Sequence, residues 1–225
     1  VGWTRWKLRP ELPGYLLLMA ELWLLTRPRP GRWTAAGLVA LQLLFVQVHI
    51  FWPMGVLLTL CFFLGAAARW LWARRVRPAA HATARADLRR RLVWTGAALG
   101  GQVAVAFVNP WTWRLAALPV QTLLYLRRCD IGLGPASDHP WAVIGGLQPI
   151  FASYVPSPGL EVYLVLALAA AGLLAALVSR RWALALVLAG AAYVFVAASR
   201  NSALGALGVV PAALLALRAA ADRLP

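Results

Sequence analysis

Hydrophobic residues in this chain run on without interruption, with neither the alternation of a strand nor the one-sided stripe of a soluble amphipathic helix. The runs lie at residues 12–25, 35–51, 55–68, 92–107, 160–178, 182–198 and 203–217. A helix needs about 17–25 residues to cross a hydrocarbon core, so each run predicts a span. The first and third are short and need flanking Trp and Tyr or a locally thinned bilayer. Strands are excluded, because only a closed, alternating barrel satisfies strand backbone in lipid. The expected fold is all-α: a polytopic transmembrane helix bundle of about seven spans in a single domain covering residues 1–225.

One segment departs from this pattern. Across 111–126 and just beyond, Arg114, Gln121 and Arg128 recur every seven residues on one stripe, with Leu115, Leu118 and Tyr125 elsewhere and Pro119 between. Such a pattern predicts an amphipathic helix lying in the membrane interface. It sits inside a long connection, 108–159, whose remainder carries Pro135, Pro140, Pro149, Pro156 and Pro158 and predicts an irregular loop.

Composition strengthens the membrane reading. Hydrophobic residues make up 62% of the chain, charged residues 13%, and the mean hydropathy is +0.71, more apolar material than one soluble core of 225 residues hides. Charge then orients it. The net charge is +15, almost wholly from arginine, and the guanidiniums cluster in alternate connections: Arg27, Arg29 and Arg32; Arg69, Arg74, Arg75, Arg77, Arg85, Arg89, Arg90 and Arg91; Arg180 and Arg181; Arg218 and Arg223. Placed in the cytoplasm they obey the positive-inside bias and meet anionic membrane lipids, which excludes a nucleic-acid partner. Residues 1–11, the 52–53 turn, the 108–159 connection and the 199–202 turn then lie outside.

Polar side chains gather on that outer face. Gln42 and His49 are seven apart and share a face of the second run. His49 there either bonds a neighbouring helix or contacts a ligand. Asn109 precedes Pro110 at the end of the fourth run, where ordinary turn chemistry also places asparagine. Arg114 and Arg200 can each meet a lipid phosphate or a bound phosphorylated ligand, and Arg9 adds another outer guanidinium beside Glu11. Glu21 reads as lying near the inner end of its helix, where Arg27 or Arg29 neutralises it. No metal is expected, since His49, His81 and His139 show no ligand spacing. Cys61 and Cys129 fall in a span and an outer loop and predict no disulfide. The outer acids, Glu11, Asp130, Asp138 and Glu161, sit in no catalytic motif, and no Walker, Rossmann, nucleophile-elbow or zinc pattern occurs. No cofactor is expected.

The order of these features carries a resemblance. Arg9-Pro10 is followed by a span closing on Gln47-Val48-His49-Ile50-Phe51 with Gly55, a basic loop, and a span closing on Val108-Asn109-Pro110-Trp111 with Arg114. Leu147-Gln148-Pro149 and Ser199-Arg200-Asn201, leading to Pro211, complete the series. This resembles the C-terminal part of bacterial GT-C glycosyltransferases, relatives of the protein mannosyltransferases and aminoarabinose transferases. The resemblance implies a multi-pass protein of the bacterial plasma membrane that transfers a sugar from a polyprenyl-phosphate donor to an extracytoplasmic acceptor. His49, Asn109, Arg114, Gln148, Arg200 and Arg9 would then bind the donor phosphate or the acceptor. The family's catalytic acid, in the first outer loop, has no counterpart here. That absence, the start at Val1 and the lack of a signal-peptide pattern lead us to expect a piece of a longer chain. Two rivals remain: an O-antigen ligase or polymerase, which needs a larger Arg- and His-rich outer loop, and a non-enzymatic transporter or lipid-binding protein, which needs ionisable groups at mid-membrane. Glu21 alone approaches the second requirement.

Overall fold

A computed structural model of the chain describes residues 11–48, 51–76, 82–128, 150–151, 158–197 and 201–223. Among these there are eight helices and no strand: α1 (Glu11–Leu25), α2 (Arg32–Val48), α3 (Pro53–Val76), α4 (Ala82–Val105), α5 (Trp113–Arg128), α6 (Leu160–Val178), α7 (Trp182–Ala197) and α8 (Ser202–Ala221). Three are long and apolar enough to cross a membrane: α3 over Pro53–Arg75, α6 and α8. The expected seven spans are corrected accordingly. α1, α2 and α7 are apolar but stop at 15, 17 and 16 residues. In α4 the first half carries Arg85, Arg89, Arg90 and Arg91, leaving only its second half apolar.

Local chemistry explains several of these ends. Thr34 Oγ1 accepts from Gly31 N–H at 3.3 Å, a reach back across the first turn of α2 that satisfies an orphan donor. α3 opens on Pro53, whose missing N–H costs nothing at a first helical position. Many large apolar side chains face outward, Leu16, Leu164, Leu174 and Leu214 among them, as suits hydrocarbon surroundings.

Two compact units emerge, one from Leu8–Ala116 with Arg180–Leu186, the other from Ala117–Ser179 with Val187–Pro225. In the first, α2 packs on α1 and α4, and α3 packs on α4. Leu25, Ala35, Leu38 and Ala98 are buried together with Leu58, Phe62 and Trp94 against them. Arginines fringe this unit: Arg27 lies 4.0 Å from the Trp23 ring, Arg74 4.4 Å from Trp70 and Arg180 5.4 Å from Trp72. Arg91 Nη2 donates to the Pro28 carbonyl at 2.5 Å. Burial and the nearby Arg181 push its guanidinium pKa down, and Asp87 opposes them.

The second unit rests on small residues. Gly172, Ala169, Ala175 and Ala176 of α6 are buried, as are Val209, Ala212, Ala213 and Ala216 of α8. A Cβ on Gly172 would lie 2.6 Å from Ala213 Cβ and 2.7 Å from its Cα. Apolar helices in lipid gain little from hydrophobic exclusion, so such close backbone approach is what holds them. Gly172→Ala should therefore lower stability by about 1–3 kcal/mol through overpacking. Gly190→Ala, where a Cβ meets nothing within 4 Å, should be neutral or stabilising by up to about 1 kcal/mol. Denaturation of the purified protein in micelles measures both, and equal losses would refute the close-contact account.

Candidate functional site

Polar groups collect in three places. The first is the turn between α4 and α5, in the first unit. Asn109 Oδ1 accepts from Trp111 N–H at 2.8 Å, while its Nδ2 donates to the Ala106 carbonyl at 2.8 Å and, at 3.4 Å, to that of Thr112. Thr112 takes a left-handed φ of 47° and donates from its N–H to Asn109 O at 3.1 Å. Gln47, at the end of α2, donates from Nε2 to the Val108 carbonyl at 2.6 Å. Two motifs separated by 61 positions thus meet at one turn. Arg114 follows, exposed, on the first turn of α5, with its guanidinium 5.9 Å from the Trp113 ring.

The second lies where α7 gives way to α8, in the other unit. Ile150 N–H donates to the Val196 carbonyl at 3.0 Å. Ile150, Val162 and Phe195 form a buried cluster with Val165, Leu166 and Ala206 packed on it. At the start of α8, Asn201 Oδ1 and Ser202 Oγ are shielded from solvent and bond to nothing. Asn201 occupies the N-cap position without capping through its side chain. These two oxygens directly follow Arg200 in the chain.

The third is a buried polar layer in the first unit. Glu21, Gln42, Thr59 and Gln102 are each 0% exposed. Gln42 Nε2 donates to the Trp52 carbonyl at 3.0 Å, which turns Oε1 the other way. A Cβ on Gly55 would run into that Oε1 and lie 2.6 and 2.8 Å from the two Glu21 oxygens. Both Glu21 oxygens, Gln42 Oε1, Thr59 Oγ1 and both polar atoms of Gln102 lack hydrogen-bond partners. The Gln102 amide lies beside Glu21, outside hydrogen-bonding geometry.

Of the expected site residues, Asn109 and Arg114 are described, one in the turn after α4 and the other on the first turn of α5; His49, Gln148, Arg200 and Arg9 lie outside the described residues. Asn109 spends its side chain on its own turn. The expectation for Glu21 is corrected: Arg27 sits on Trp23, and neither carboxylate oxygen has a hydrogen-bond partner. Glu21 is held among α2, α3 and α4 instead. Gln102, inside an apolar run, was the signal overlooked, since a polar residue at such depth rarely lacks a use. No group of three or more His, Cys, Asp or Glu among the described residues could hold a metal ion.

No family model, curated protein or solved structure matches this chain. Removing Asn109 should cost local stability: Asn109→Ala loses its side-chain bonds and about 1–2 kcal/mol. Asn109→Asp, which keeps the acceptor for Trp111 N–H, should lose less. Unfolding in micelles measures this, and an unchanged midpoint for Asn109→Ala would leave ligand contact as the reason for the asparagine.

Proposed function

We propose that this is a multi-pass protein of the bacterial plasma membrane of the GT-C glycosyltransferase type, moving a sugar from a polyprenyl-phosphate donor to an extracytoplasmic acceptor. The observation that carries the reading is the Gln47–Val108 bond. It joins the helix end that precedes His49 in sequence to the turn that bears Asn109 and leads into Arg114, as a shared polar boundary requires. In the other unit the Ile150–Val196 bond ties the residues after Gln148-Pro149 to the helix that precedes Arg200. The unpartnered oxygens of Asn201 and Ser202 add groups able to receive a polar ligand there.

Chemically, a phosphate leaving group gathers negative charge as its glycosidic bond breaks. Guanidiniums at a membrane boundary stabilise that charge without proton transfer, and their fork suits phosphate oxygens. Arg114 is exposed at the start of α5, which suits capture of a phosphate from the interface. The acceptor also needs a carboxylate base, and none is assigned within this chain.

Arg114→Ala and Arg200→Ala should each weaken binding of a polyprenyl phosphate to the purified protein at least about tenfold, the loss expected of a charge-assisted hydrogen bond; lysine at either position should restore part of it. If binding is unchanged in both alanine variants, phosphate capture is wrong. Topology is open to a separate check in a cysteine-free background: in intact cells an impermeant thiol reagent should label Thr112→Cys and spare Arg85→Cys. The reverse pattern would invert the assignment of faces.

A further inference from the structure

The transferase reading makes no use of the layer around Glu21, and that layer has a chemical requirement of its own. Gln42 lies ten positions into α2, about 15 Å from its start at 1.5 Å per residue, so the layer is deep within the helical unit. Three acceptor oxygens, Glu21 Oε1, Glu21 Oε2 and Gln42 Oε1, converge on the bare face of Gly55. None has a donor. The Gln42 amide cannot turn over to supply one without giving up its bond to the Trp52 carbonyl. Gly55 adds no side chain to the point of convergence, and any Cβ there would collide with the oxygens. Acceptors gathered in this way, away from water, repel one another unless something positive lies between them.

From this convergence we infer that Glu21, Gln42 and Gly55 form a binding site for one monovalent cation, of which Na+ is the representative. The donor set fixes the class. Carboxylate and amide oxygens suit hard cations, and the three converging donors include no sulfur or imidazole, the ligands that transition metals favour. Charge fixes the valence, because a single carboxylate neutralises one positive charge, whereas a divalent ion would leave an uncompensated charge in a low-dielectric interior. Thr59 Oγ1, one turn beyond Gly55 on α3, is a further buried oxygen lacking a partner, and the Gln102 side chain lies beside Glu21. Small-residue access, a fixed amide and a lone carboxylate together make a site for a dehydrated ion. It stands independently of sugar transfer, and the two proposals are tested on different residues.

The test uses the full chain purified in micelles, at constant pH and ionic strength, with NaCl replaced stepwise by choline chloride. Na+ should raise the thermal midpoint saturably over choline, since a ligand that binds only the folded state stabilises it by mass action. Glu21→Gln, nearly isosteric, should fold and lose the Na+ response. Gly55→Ala should weaken it by placing a methyl at the meeting point. The wild-type comparison needs no variant and decides the matter even if both fail to fold. Equal midpoints in Na+ and choline would overturn the proposal, as would an undiminished Na+ response in Glu21→Gln. Stability that followed pH through Glu21 while ignoring Na+ would overturn it in favour of a bound proton, and a response to Mg2+ but not Na+ would refute the valence.

Discussion

Gln42 donates to the Trp52 carbonyl, which ties the residue just before α3 to a side chain in the middle of α2. Gln42 precedes Val48, the last residue of α2, by six positions, about 9 Å of helix. That one bond brings Gly55 to Glu21 and sets the depth of the polar layer. It also decides which way the glutamine amide faces, with the donor committed to backbone and the acceptor turned toward the carboxylate. Without it neither the start of α3 nor the convergence of oxygens would be fixed.

Close backbone approach does the corresponding work in the unit built on α6 and α8. Gly172 against Ala213, and Gly205 against Phe195, leave no room for a further methyl. Helices as apolar as these cannot be sorted by hydrophobic exclusion in lipid, so shape and a few polar bonds must specify their partners. The Ile150–Val196 bond is one of those few, and it ties Ile150 to the end of α7.

Much of the helical layout was legible in the sequence, because continuous apolar runs punctuated by arginine admit little else. The helix across this segment was legible too: the seven-residue stripe of Arg114, Gln121 and Arg128 falls on α5, Trp113–Arg128. What runs of residues cannot reveal is register between helices. Glu21, four positions from the end of α1, reads as a residue near a boundary, yet it is fully buried with Gln42 and Gly55 as neighbours. Arg27 is near it in sequence and is held instead on an indole face. The count of spans failed for a related reason: hydropathy marks where apolar residues are, while the arginines in the first half of α4 and the short lengths of α1, α2 and α7 decide whether a helix can cross. In the candidate site, the turn chemistry of Asn109–Pro110 was visible as a dipeptide, but the bond from Gln47 to Val108 joins residues 61 positions apart and needs the fold.

Depth decides what a polar residue in such a protein means. An arginine at a helix end stays open to water or headgroups while its guanidinium stacks on an indole face, at little energetic cost; Arg27, Arg74 and Arg180 are exposed and all do this. A carboxylate in the interior has no such outlet. Replacing it by an apolar residue of similar size would often improve stability, so its presence among two glutamines and a threonine points to use rather than packing. The same reasoning applies, more weakly, to Asn201 and Ser202, whose oxygens are shielded at the start of a 20-residue helix without capping it. Polar atoms that the fold conceals and leaves unbonded are where a ligand changes the free energy most, because there the protein supplies no compensation of its own.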